Sequence, residues 1–212
     1  MADFCIHVII PVYNCKDYLE EAVNSVLKQE YERIEILLID DGSKDGSSAL
    51  CDKLAKNSDK ITVIHQENKG VSCARNTGID YILQKYQNHL DGRYIAFLDA
   101  DDAWANDFFT NASVLEFPSA DIIQFQSQRW NAAFTRCCEP VPLEEGTYAG
   151  GVDTIWRCRG QSFCAALYAC QFLEKHAIRF LTGLRYSEDV LFLRKCVSMA
   201  DSVALLSRTF YH

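Results

Sequence analysis

No apolar run in the 212 residues approaches the ~20 needed to span a bilayer, so no membrane-spanning segment is expected. Ten cysteines are present, yet no CxxC pair occurs, and their spacings match no zinc module. A positive balance is also missing. The net charge of −8 argues against a broad nucleic-acid surface, which would be basic. Local cations or a bound metal could still serve a phosphorylated ligand. There are no internal repeats, low-complexity tracts or clear linkers. Met1-Ala2-Asp3 leads straight into an apolar run, so no secretory leader is expected. The expectation is a reduced, cytoplasmic protein without a disulfide framework. Cys5, Cys51, Cys73 and Cys196 fall in apolar periodic segments and are expected as small buried hydrophobes. Cys137 and Cys138, in a polar stretch, are the expected exposed thiols.

What is present is ordinary for a globular protein, with 49% hydrophobic and 24% charged residues. The length suits one large domain, or a core with a smaller appendage. Cys5 to Val12 is an apolar run closed by Pro11 and Asn14, which predicts a buried strand. From Lys16 the period changes. Leu19, Ala22, Val23, Val26 and Leu27 share one helical face, with Asn14 as a candidate N-cap. Ile34 to Ile39 predicts a second strand. A helix around Leu50 and Leu54 follows, with Asp45 or Ser47 as its cap. Ile61 to Ile64 predicts a third strand. Ala74, Gly78, Ile79, Ile82, Leu83 and Tyr86 then mark a third helical face. Tyr94 to Leu98 predicts a fourth strand. This alternation points to right-handed βαβ crossovers and a mostly parallel sheet.

The second half is less regular. Asp121 to Gln128 predicts a strand and Arg129 to Gly146 a hairpin or loop. Val152 to Arg157 and Cys164 to Lys175 predict short helices. A longer helix is expected over Ser187 to Met199, capped by Ser187. Val203 to Tyr211 predicts a final strand.

Three of the predicted strand ends carry polar clusters: Tyr13-Asn14, Asp40-Asp41, and Asp99-Ala100-Asp101-Asp102. In a parallel sheet such ends converge on one edge, where open α/β folds bind ligands. Three carboxylates within four residues repel one another unless a cation or donors neutralise them. Oxygen ligands of this kind suit Mg²⁺ or Mn²⁺, which bridge carboxylates to phosphates. Alone, the triplet is more often a solvated turn than a metal site. Likewise Asp41 alone would be an Asp-Gly turn, and Arg75 could pair with a nearby aspartate as readily as with a phosphate.

The order of four segments adds specificity. Val8 to Asn14, Ile39 to Ser47, Asn68 to Gly78 and Phe97 to Asp102 closely resemble the family 2 glycosyltransferases of the GT-A fold. The likeness is dense over the first half. In the second half it rests on Ser187-Glu188-Asp189. The resemblance implies a GT-A-type, Rossmann-like α/β domain: a mostly parallel sheet flanked by helices, with a smaller irregular acceptor-side region. On this basis 1–212 is one domain, 4–110 the donor half and 111–212 the acceptor half. The stop at His212, inside a predicted strand, implies a truncated acceptor half.

The resemblance further implies an inverting transfer of sugar from a nucleotide diphosphate, with UDP favoured, to a polysaccharide or lipid-linked hydroxyl. Pro11, Tyr13 and Asp41 would hold the nucleoside, and Arg75 would face the diphosphate. Asp99 would contact ribose or a water on the metal. Asp101 would ligate Mn²⁺ or Mg²⁺, and Asp189 would be the general base. Residues from Phe125 onward would shape acceptor choice. Acidic residues are favoured at a helix start in any case, so capping also accounts for Glu188-Asp189. Peripheral association with the inner face of a membrane stays open. Two alternatives make different demands on the sequence. A nucleotidyltransferase needs a glycine-rich basic loop after the first strand, and Pro11 to Asp17 has one lysine and no glycine. A nucleotide-sugar-binding module without turnover remains open.

Overall fold

The computed structural model describes residues 4–106, 108–127, 142–184 and 186–211. Strand β1 (Cys5–Val12) is buried along its whole length except at the half-exposed Pro11, as a strand covered on both faces must be. It is followed by α1 (Lys16–Leu27), β2 (Ile34–Asp40), α2 (Ser47–Asn57), β3 (Ile61–His65), α3 (Val71–Lys85) and β4 (Arg93–Phe97). These strand–helix units lie where the alternation of periods places them.

The second half supplies α4 (Asn111–Leu115), β5 (Ile122–Ser127), β6 (Gly146–Tyr148), α5 (Val152–Arg157), β7 (Ala166–Ala169), α6 (Cys170–Lys175), α7 (Glu188–Met199) and β8 (Val203–Tyr211). All the described strands join one sheet of eight, in the order β3-β2-β1-β4-β7-β5-β8-β6. Strands β1 to β4 pair in parallel, β7 runs antiparallel to both β4 and β5, and β8 is parallel to β5 and antiparallel to β6. Among the described residues, no helix is long and apolar enough to cross a membrane.

Several local expectations are corrected. The helix predicted from Cys164 begins only at Cys170, because Ala166–Ala169 is the strand that joins the two halves of the sheet. Periodicity alone does not separate a short, fully buried apolar run from a buried helix. The N-cap of α1 is Cys15 rather than Asn14, whose backbone is left-handed (φ 50°). Its first amides are capped from a distant turn: Cys15 N–H donates to Ser47 Oγ (3.0 Å) and Lys16 N–H to Asp45 Oδ2 (3.1 Å). The N-cap of α2 is Gly46, between the two residues expected to cap it. Ser187 sits at the N-cap of α7 but its side chain makes no capping bond. Cys73 is half-buried, whereas Cys5, Cys51 and Cys196 are buried as expected. None of the eight described cysteines is in a disulfide. Cys137, Cys138, His212 and most of the predicted hairpin from Arg129 lie outside the described residues.

Aromatic packing joins the halves. Phe97 on β4 meets Phe163, Tyr168, Phe180 and Phe192 at centroid distances of 5.2–5.9 Å. Phe180 and Phe192 stack at 3.8 Å. This cluster anchors the start of α7 against the end of β4.

Candidate active site

Register explains why the polar strand ends meet. Val12 lies opposite Asp40, and Ile9 opposite Phe97. The pairing continues past the strands, with Asp41 N–H donating to Val12 O (2.9 Å) and Leu98 N–H to Ile9 O (3.1 Å). Asp41 and Asp99 are thereby set on either side of Pro11 and Tyr13. Pro11, Tyr13, Asp41, Arg75, Asp99 and Asp101 all line one open cleft of about 560 Å³, a size typical of small-ligand sites. Tyr13 and Tyr18 on its wall are 53% and 57% exposed, leaving flat aromatic surface free for a planar group.

Asp41 is buried and organises the loop that opens α3. Its Oδ1 accepts from Gln66 Nε2 (2.7 Å) and Lys69 N–H (2.9 Å), and its Oδ2 from Gly70 N–H (2.8 Å). Thr77 Oγ1 in turn donates to Gln66 Oε1 (2.8 Å). Gly70, with φ 89°, takes a conformation that disfavours a side chain. Gly78 lets α3 press against β1: a Cβ there would lie 2.7–3.0 Å from three side-chain atoms of Ile9. Each of these residues in the Asn68-to-Gly78 segment thus has a fold-level reason, and together they aim the first turns of α3 at the cleft.

Arg75 is the centre of the arrangement. It is 4% exposed, and its guanidinium bonds Asp99 Oδ1 at 2.7 Å and Glu188 Oε1 at 3.3 Å. The Phe163 and Phe180 rings lie 4.6 and 5.2 Å from its guanidinium carbon. Burial works against its charge, but Asp99 and Glu188 outweigh it and hold Arg75 above its ordinary value. The pairing of Arg75 with a nearby aspartate, left open by the sequence, is what this structure shows. Its Nε is buried without a hydrogen-bond partner among the described residues. The buried Cys164 thiol lies 3.9 Å from Asp99 Oδ2.

Asp101 is exposed at the cleft and makes no hydrogen bond or ion pair among the described residues, in contrast to Asp99. No group of three or more His, Cys, Asp or Glu side chains among the described residues is placed to hold a metal unaided. A cation here would need oxygen atoms from a ligand, which is how Mg²⁺ usually binds beside one or two carboxylates and substrate phosphates. The donor set therefore fits a divalent metal that arrives with a diphosphate. Asp189 is not on the cleft wall. It is half-exposed in the first turn of α7, its Oδ1 accepting from Val190 N–H (2.7 Å), and it follows the Glu188 that Arg75 grips.

Asp40, the other half of the aspartate pair, faces away into the fold. Its Oδ2 meets His65 Nδ1 at 2.8 Å, while His65 Nε2 meets Asp52 Oδ1 at 3.1 Å. These bonds raise the imidazole above its ordinary 6.5. Burial alone would push the Asp40 carboxyl up, but His65 and Ser43 outweigh it and the carboxyl falls. The imidazolium thus adds stability that is fully present below pH 6.5 and is lost as pH rises through the raised value. The His65 side chain is 43% exposed, so solvent screens the pair. His65→Asn is expected to cost about 1 kcal/mol or less at pH 6, and still less at pH 9, by urea denaturation. A cost that grows with pH would contradict this assignment.

Nothing in the sequence assigned Glu188 to Arg75, and Gln66, Phe163 and Phe180 carried no functional signal there. The acidic helix start signalled Glu188 only as a capping residue, and nothing local signals that residues 163 and 180 enclose Arg75.

The fold and cleft define an α/β protein with an acidic pocket at the carboxyl ends of its parallel strands. Residues 7–137, more than half of the chain, match the model of glycosyl transferase family 2. The chain belongs to that family. It is 29% identical over 97% of its length to EpsJ, an uncharacterized glycosyltransferase of Bacillus subtilis (strain 168), and spans 60% of that protein. The structure is similar to S. aureus TarS 1–349, solved with UDP and with UDP-GlcNAc, at a TM-score of 0.77 and 21% identity. The match covers 98% of this chain and 59% of the UDP-bound TarS chain. PcManGT, a mannosyltransferase from Pyrobaculum calidifontis solved with GDP-Man and Mn²⁺, gives a TM-score of 0.64 at 18% identity, covering 97% of this chain and 55% of the other. The chain therefore spans a little over half the length of these relatives. The shared fold is the GT-A type.

Proposed function

We propose that this chain transfers a sugar from a nucleoside diphosphate, UDP in the first instance, to a hydroxyl of a glycan or lipid-linked acceptor, with inversion. The observation that carries this is the meeting of Asp41, Arg75, Asp99 and Asp101 in one cleft at the strand ends. TarS binds UDP and UDP-GlcNAc, and PcManGT binds GDP-Man with Mn²⁺, on the same fold.

In this scheme Tyr13 covers the face of the base, beside Pro11. Asp41 presents carboxylate oxygen to the base or ribose, while its existing bonds keep the α3 loop in place. The start of α3 offers an N-terminal dipole to the diphosphate. Arg75 supplies a buried positive charge behind Asp99, and Asp99 faces the ribose. Asp101 is the residue that would hold Mn²⁺ or Mg²⁺, which when bound offsets charge on the departing diphosphate. Asp189 takes the proton from the acceptor hydroxyl as that oxygen attacks the anomeric carbon. Bond formation on the face opposite the leaving group inverts that carbon.

The test is release of nucleoside diphosphate from a panel of UDP- and GDP-sugars with Mn²⁺, alone and with oligosaccharide acceptors. Turnover with one donor class is expected. Tight nucleotide binding without release from any donor would identify a binding module instead. Neither binding nor release would reject the donor site.

A further inference from the structure

A second cleft, of about 380 Å³, lies away from the one described and is lined by Pro142, Glu144, Asp153, Trp156, Arg157 and Arg159. We propose that it is a glycan-binding subsite, which seats a neutral sugar residue of an extended acceptor on the Trp156 ring. The proposal rests on the glycosyl-transfer reading above.

Trp156 is 64% exposed, although an indole gains more from burial than almost any side chain. It is held on α5, whose start is tied to α7 by Gly150 N–H to Ala200 O and Gly151 N–H to Val197 O, both 3.1 Å. Part of the rim is cross-linked. Arg157 pairs with Glu144 and lies over the Tyr148 ring at 4.5 Å, and Tyr148 OH donates to Glu144 O (3.2 Å).

The chemistry of the rim selects the ligand. Two carboxylates and two guanidiniums leave the cleft without net formal charge. A polyphosphate or nucleic acid would favour an excess of cations. Sugar hydroxyls, each a donor and an acceptor, suit a mixed rim, and the C–H face of a pyranose suits an open indole. α5 follows β6, four strand steps from β4 in the sheet. At ~4.8 Å per step that is roughly 20 Å, so only a glycan several sugars long would reach both clefts.

The experiment is isothermal calorimetry of the protein against cellotetraose, chitotetraose, maltotetraose and laminaritetraose, with Trp156→Ala, Trp156→Phe and Arg75→Ala beside the unsubstituted chain. Thermal melts confirm that each titrated protein is folded. Binding of at least one tetrasaccharide is expected. Trp156→Ala should weaken it by about tenfold or more, and Trp156→Phe, which keeps a ring, by about threefold or less. Arg75→Ala, titrated below its melting transition, should leave it unchanged, because the two clefts are separate. Parallel titration with UDP and Mn²⁺ separates the two proposals. UDP binding without tetrasaccharide binding overturns the subsite alone, and tetrasaccharide binding without UDP binding overturns the donor site alone. Binding that is indifferent to Trp156→Ala, or a Trp156→Ala effect confined to self-association in sedimentation, also overturns the subsite.

Discussion

Arg75→Ala is expected to lower the melting temperature by about 6–12 °C. The cost follows from what the guanidinium holds. Removing one partner of a buried ion pair costs about 3–5 kcal/mol, because the remaining charges lose their compensation. Here two carboxylates, Asp99 and Glu188, would face each other across an emptied space between Phe163 and Phe180. Their side chains are 34% and 16% exposed, so partial rehydration keeps the cost near the lower end, about 3 kcal/mol. At about 2–4 °C per kcal/mol for a chain of this size, that gives the stated shift. Activity should fall further than stability, by about 10²-fold or more at temperatures where the variant is folded. Arg75→Lys restores the charge but not the fork that reaches two carboxylates. It should recover part of the stability and little of the activity. An Arg75→Ala protein that melts within about 2 °C of the parent, less than the shift of a single kcal/mol, would show that Arg75 is not the strut described.

Asp189→Asn should do the opposite. Among the described residues its carboxylate accepts one hydrogen bond, from the neighbouring Val190 amide, and asparagine keeps that acceptor. Stability should therefore stay within about 0.5 kcal/mol of the parent. UDP affinity should also be unchanged, since Asp189 does not line the cleft proposed for the donor. Turnover should fall by about 10²–10⁴, the usual contribution of a general base. The pattern to look for in steady-state kinetics is a loss in kcat with little change in KM for the donor. Near-parental turnover would remove Asp189 from the mechanism. Turnover lost together with folding would return it to a capping role.

The first half of the fold was legible because its physics is local. β1, β2 and β4 are short buried runs followed by polar clusters, β3 is a shorter and more exposed apolar run, and each intervening helix announces itself by a change of period. Register then forces the strand ends together. The joining of the halves was not legible. β7 is a four-residue strand whose apolar run could equally be helical. The enclosure of Arg75 by Phe163 and Phe180, and its grip on Glu188, span 88 to 113 positions in the chain. The caps failed for a similar reason: α1 is capped from the turn that opens α2, and Asn14 instead accepts from Lys44 N–H at 2.8 Å. Where a side chain's partner is set by tertiary contact, spacing in sequence carries no record of it.

The acidic end of β4 is now divided by geometry as well as by motif. Asp99 is engaged by Arg75, while Asp101 stands exposed at the cleft mouth. Calorimetric titration of UDP into the parent chain and Asp101→Asn, each with Mn²⁺ and with EDTA, tests the donor site most directly. The expected result is UDP binding by the parent with Mn²⁺ that weakens by about tenfold or more in EDTA, a difference of about 1.4 kcal/mol. Asp101→Asn should bind in both buffers as weakly as the parent does in EDTA, with an unchanged melting curve. UDP binding that is equal in all four titrations, or absent from all of them, would contradict it.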